Sequence, residues 1–149
     1  MNSEQTRALI DDFYTTLGRG DREHLLTLLD ENVTWQMPSS VPDHLVEGRA
    51  AVAAELGSAT VRRLFQRGTF GLEVIGVLVD GGYAAVQTAT HATTHEGRRY
   101  EMQYCWVYTC ADNRIQYIRE YLDTLHAARV LGWLDDTTES SMPEPQANS

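Results

Sequence analysis

The stretch RIQYIREYLDTLH, Arg114 to His126, alternates like a strand and finishes on a carboxylate. Counted from Ile115, Tyr117, Arg119, Tyr121 and Asp123 share one phase, with Gln116, Ile118, Glu120 and Leu122 between them. If ADN at 111–113 closes the last hairpin, residues whose numbers sum to about 226 face each other across it. Asp123 then lies near Gln103, Tyr121 near Cys105, and Arg119 near Val107. If HEG at 95–97 closes the preceding hairpin, His91 lies near Glu101 and Ala89 near Gln103. These positions are all odd-numbered, so without a bulge they share a face.

An imidazole and two carboxylates brought together in a cavity would titrate as coupled groups with shifted pKa values, as general acid–base catalysis requires. Asp123 is expected to act as base, His91 or Glu101 to handle the second proton, and Gln103 to orient the substrate. Arg119 and Tyr121 share the predicted face, and Trp35 with the tyrosines could form flat walls for a polycyclic ligand. Each residue also has a plainer reading. Asp123 before Thr124 suits the N-cap of a final helix. His91 suits a half-wet strand face, and Glu101 beside Arg98 and Arg99 suits an exposed ion pair.

The elements that must position these groups follow from periodicity. Leu9, Ile10, Phe13 and Leu17 form an amphipathic stripe from a cap at Ser3. Gly18-Arg19-Gly20 ends that helix, and Asp21 can cap a second carrying Leu25, Leu26, Leu28 and Leu29. A short strand, 32–37, stops at Pro38, and a loop leads to a third helix over about 49–65. Four strands follow, at about 69–80, 83–95, 98–110 and 114–122, then a helix over 124–133. Helices followed by an antiparallel meander predict an α+β domain: a cone-shaped, curved sheet wrapped around N-terminal helices with an internal cavity. The even face of one strand carries Tyr100, Met102, Tyr104, Trp106 and Tyr108. A face so aromatic, left uncovered by helices, is expected to form a homodimer.

The 149 residues suit one domain, 1–134, with a polar, proline-bearing tail at 135–149 expected to be disordered. A net charge of −9 and a pI near 4.9, with only scattered arginines, argue against nucleic acid. The N-terminus lacks a signal pattern, and no apolar run nears the roughly 18 residues of a membrane span. Cys105 and Cys110, five apart on one strand, fall on opposite faces and are not expected to pair. No Cys/His spacing suits zinc. A cytoplasmic protein without metal or cofactor is expected.

Three segments carry a resemblance: FYTTLGRGDREHLLTLLDENVTWQMP, EGRAAVAAEL and GRRYEMQYCWVYTCADNRIQYIREYLDT. In order and spacing they resemble the nuclear-transport-factor-2-like superfamily, SnoaL-like group, over about residues 5–133. Resemblance to ketosteroid isomerases makes Tyr14 the phenol nearest their oxyanion tyrosine. It puts Met37, before Pro38, where their base aspartate stands. Methionine cannot take a proton, so Met37 is expected to contact substrate only, and steroid isomerisation by that route is not expected. Resemblance to limonene-1,2-epoxide hydrolases matches Asp123 to a terminal aspartate, but Ala89 and His91 stand where their Arg-x-Asp pair would be. Resemblance to SnoaL-like polyketide cyclases also selects Asp123 as the acid/base. The implied function is a cofactor-independent enzyme acting on a hydrophobic cyclic molecule by cyclase, isomerase or dehydratase chemistry. The alternatives are epoxide hydrolysis with Arg119 as the cation, or a non-catalytic ligand-binding or assembly module.

Overall fold

The computed structural model describes residues 1–134, and the tail expected from Asp135 lies outside the described residues. Helix α1, Ser3–Arg19, starts one residue earlier than the Ser3 cap expected. Asn2 Oδ1 accepts the Gln5 amide at 2.8 Å, and Gln5 Oε1 accepts the Asn2 amide at 3.0 Å, a reciprocal capping box. Ser3 is released to accept from the Gly81 amide at 2.9 Å, which ties the helix start to the sheet. Gly20, at φ +66°, closes the helix in the left-handed conformation that a side chain would disfavour. Asp21 caps α2, Arg22–Leu28, through the His24 amide, as expected.

Strand β1 runs Leu29–Gln36, starting earlier than expected because Leu29 and Val33 are fully buried partners for the sheet. A short strand β2, Leu45–Glu47, lies in what the sequence reads as loop, and pairs antiparallel with β1. The third helix is interrupted: α3, Arg49–Ala54, passes through a π-helical turn, Glu55–Ala59, into α4, Thr60–Leu64. Gly57 sits in the widened turn, and Glu55 accepts from Thr60 Oγ1 at 2.5 Å across it. Strands β3, Gly71–Asp80, β4, Tyr83–Thr93, β5, Arg99–Ala111, and β6, Arg114–Tyr121, complete the sheet, and α5, Thr124–Leu131, follows. No helix among the described residues is long and apolar enough to cross a membrane.

The sheet order is β2-β1-β6-β5-β4-β3, curved and unclosed, with β1 and β6 parallel and the remaining pairs antiparallel. The registers inferred from the turns hold: His91 faces Glu101, Ala89 faces Gln103, Tyr121 faces Cys105 and Arg119 faces Val107. Asp112 and Asn113, both at positive φ, make the tight last turn, where short polar side chains tolerate the left-handed region. Gly82, in the β3–β4 turn, leaves room for the Cys110 carbonyl, which would stand 2.5 Å from an added Cβ.

The facing is opposite to that expected. The even face of β5 turns inward: Tyr100, Met102, Trp106 and Tyr108 are all buried, within the monomer. Residues from α1, α2 and α3 cover its Trp106–Cys110 end, and Ala127 of α5 closes over Tyr100 and Met102 at the other. A homodimer through the aromatic face is therefore ruled out by the chain's own helices. Burying these four large side chains outweighs any preference of the polar odd-numbered residues for shelter, so those residues take the solvent. A register irregularity in the β5–β6 hairpin is confined to the start of β6, where Ile115 faces inward opposite Cys110. From Tyr117 onward the inferred register holds, and Ile118 and Glu120 face inward with the even residues of β5.

Candidate functional site

Between the inner sheet face and the helices lies a cavity of about 890 Å³. Its walls come from α1, β1, the 41–43 loop, the π-helical turn with α4, and the inner residues of β3 to β6. Leu45, Phe70, Leu72 and Val74 line it and are partly exposed, so an apolar surface borders the opening. Such a volume suits a small organic molecule.

One buried carboxyl, Glu120, faces this cavity, with 8% of its surface exposed. It sits on β6 directly opposite Trp106 of β5. Trp35 Nε1 donates to Glu120 Oε2 at 3.2 Å. Trp106 Nε1 is directed away, donating to Thr88 Oγ1 at 3.0 Å, so its ring serves as wall. The two indoles lie 6.0 Å apart, tilted by 42°. Burial pushes the Glu120 carboxyl up to about 8, and the Trp35 hydrogen bond only partly offsets that. At neutral pH Glu120 is thus mostly a neutral acid, within reach of ionisation.

Two phenol pairs stand near it. Tyr14 and Tyr108 share a 2.6 Å hydrogen bond, and Tyr100 and Tyr104 share one of 2.5 Å. Burial pushes all four phenols above their ordinary value, Tyr100 to about 12. They remain protonated donors across the physiological range.

Of the residues singled out from the sequence, Tyr14, Trp35 and Met37 line the cavity. The others do not. His91, Glu101 and Gln103 are exposed on the outer face, where Arg99 pairs with Glu101 at 2.5 Å and the His91 ring covers Gly71. Arg119 is exposed with its guanidinium 4.7 Å from the Tyr117 ring centre, and Tyr121 is exposed as well. Asp123 is exposed and caps α5, accepting the His126 amide at 3.1 Å. His91 and Glu101 do face each other, but in water, where their mutual influence is screened. Asp123→Ala should lower stability by about 1 kcal/mol through loss of the cap, whereas Asp123→Asn should change it little. Urea unfolding of the two variants checks this, and equal losses would mean that capping is not its contribution.

Tyr100, Tyr104, Trp106 and Tyr108, expected above all at a dimer surface, line the cavity, and Glu120 joins them although it has no role in the sequence reading. One signal was available: Ile118, Glu120 and Leu122 form an apolar phase containing a single charge. A carboxylate in an apolar phase is either an error of phase or a buried functional group.

The profile of the SnoaL-like domain family matches residues 10–118. The chain belongs to the SnoaL-like domain family. Solved structures agree with this SnoaL-like fold. An NTF2-like protein from Burkholderia xenovorans LB400 is 25% identical, covering 88% of this chain and 98% of its own, with a TM-score of 0.73. A protein assigned as a ketosteroid isomerase from Kribbella flavida DSM 17836 is 23% identical, covering 81% and 79%, with a TM-score of 0.64. One assigned as a SnoaL-like polyketide cyclase from Jannaschia sp. CCS1 is 17% identical, covering 89% and 95%, with a TM-score of 0.73. No curated protein matches the chain. The SnoaL-like fold is thus common to proteins assigned different activities, and the activity of this domain has to be argued from its own cavity.

Proposed function

We propose that this SnoaL-like domain catalyses proton transfer on a hydrophobic cyclic small molecule, with Glu120 as the acid–base group. The observation that carries this is one buried carboxyl, held by Trp35, in a large cavity walled by aromatic and aliphatic side chains. As carboxylate, Glu120 would take a proton from the carbon beside a carbonyl, leaving an enolate. The acid so formed would return the proton to another atom of the same molecule, which regenerates the carboxylate. One group serving both half-steps suits isomerisation or cyclisation. Water addition to an epoxide is less well served, because Arg119, the cation that it would recruit, lies outside the cavity over Tyr117.

The test is deuterium uptake in D₂O at the α-carbon of 2-tetralone and similar cyclic ketones, followed by NMR. The wild-type protein should accelerate exchange, increasingly so up to about pH 8 as Glu120 ionises. Glu120→Gln should lose about 10²- to 10⁴-fold of that acceleration. Exchange unchanged in the variant would assign the activity elsewhere, and no acceleration by wild type would leave a binding module.

We place its action in the cytoplasm, where Cys105 and Cys110, which lie on opposite faces of β5, would persist as thiols. Self-association is proposed through the outer surface instead of the aromatic face, at the exposed Ile75, Leu78 and Tyr83. Sedimentation showing only monomer at high concentration would refute it.

A further inference from the structure

We propose that the cavity selects an elongated, neutral ligand bearing an acceptor oxygen near each end, each read by one of the two phenol pairs flanking Glu120. This rests on the cavity being a small-molecule site, but it does not depend on what Glu120 does.

The argument starts from proton counting. A pair of phenols has two O–H protons, and their shared hydrogen bond uses one, whichever hydroxyl donates. The second proton must point elsewhere. In both pairs, Tyr14 with Tyr108 and Tyr100 with Tyr104, all four residues line the cavity. Tyr108 and Tyr100 are almost fully buried, while Tyr14 and Tyr104 are half-buried. Each pair therefore brings one donor to a largely apolar space, where a donor without an acceptor is costly. Burial keeps these hydroxyls protonated, so they suit a carbonyl, ether or hydroxyl oxygen and do not suit a cation.

Register then fixes the layout. Glu120 pairs with Trp106, so Tyr104 and Tyr108 are its two diagonal neighbours on β5. Their Cα atoms are separated by four residues of strand, roughly 13 Å at about 3.3 Å per residue. Between them lies the Trp106 ring, with Trp35 beyond it and tilted by 42°, an apolar floor without a free donor. A ligand spanning this floor would meet a donor at either end and the carboxyl in the middle. Its two oxygens would be on the order of 10 Å apart, by the same strand spacing.

Calorimetry with two matched probes tests the layout. 4,4′-Diacetylbiphenyl has a carbonyl at each end, and 4-acetylbiphenyl has only one. Wild type should bind the diketone about three- to tenfold more tightly, the worth of one added neutral hydrogen bond. The double variants Tyr14→Phe/Tyr108→Phe and Tyr100→Phe/Tyr104→Phe, each of which removes a whole pair and leaves no orphaned hydroxyl, should each abolish that preference. A single Tyr→Phe change leaves the partner hydroxyl with its own proton to donate. Equal affinities for the two probes in wild type, a preference surviving the loss of either pair, or no binding of either probe would each overturn the proposal. Glu120→Gln should keep the preference intact, so a failure of the proton-transfer reading would leave this result standing and remain distinguishable from it.

Discussion

Glu120→Gln is expected to raise stability at pH 7 by on the order of 3 kcal/mol while removing proton-transfer activity. The first effect follows from the carboxyl's two environments. In the unfolded chain it ionises at its ordinary value of 4.5, whereas in the fold burial holds it protonated to about 8. Below pH 4.5 both states carry the proton and the group is neutral to stability. Between 4.5 and 8 the unfolded chain releases its proton and the native protein resists doing so, so stability falls by about 1.4 kcal/mol per pH unit. Above 8 both states are ionised and the loss levels off. Glutamine does not titrate, so the variant lacks this slope. Urea denaturation of both proteins from pH 4 to 9 should show curves that coincide at the acid end and separate steadily to about pH 8. Parallel curves would mean that Glu120 ionises in the fold as readily as in water, and its selection as the acid–base group would lose its physical basis.

A group that costs this much is hard to explain as structure. A glutamine or a leucine at position 120 would fill the β6 position without the penalty of a buried acid. Trp35 Nε1 supplies only one of the hydrogen bonds that the carboxylate could accept. The residue is thus under-supported as an anion and close to neutrality as an acid, the condition in which a carboxyl exchanges protons near physiological pH.

Much of the scaffold could be read before any coordinates. The Leu9-Ile10-Phe13-Leu17 stripe, the Asp21 cap and the three hairpins rest on local periodicity and turn chemistry, and the observed registers agree residue for residue at His91, Ala89, Arg119 and Tyr121. What periodicity cannot supply is which of a strand's two faces turns inward. That depends on which helices lie where, a long-range property. The polar odd face looked like a site because its residues could do chemistry, but chemistry-bearing residues are also what solvent accepts most cheaply. The aromatic even face decided the matter by area, and α5 covering Tyr100 and Met102 was the contact that the sequence reading lacked. Strand β2 was missed for a related reason. Its three residues have little period to show, and they become a strand only because β1 offers an edge.

Phe13→Ala should cost about 3 to 5 kcal/mol. Phe13 is 1% exposed and sits where α1 meets the sheet. Its ring packs edge-on against Tyr14 at 5.2 Å and Tyr108 at 5.5 Å, both members of one phenol pair. Alanine would remove the apolar area and also the edge-to-face contacts, and the rigid sheet below could not close the gap. Denaturant unfolding should show a lower midpoint with an unchanged slope. Leu78→Ala, at a side chain 76% exposed on β3, should by contrast shift the midpoint little. A Phe13→Ala loss below about 1 kcal/mol would mean that α1 is not seated on the sheet through this ring. The Tyr14–Tyr108 pair would then lack the packing that holds its hydroxyls in place, and one end of the proposed ligand site would have to be redrawn.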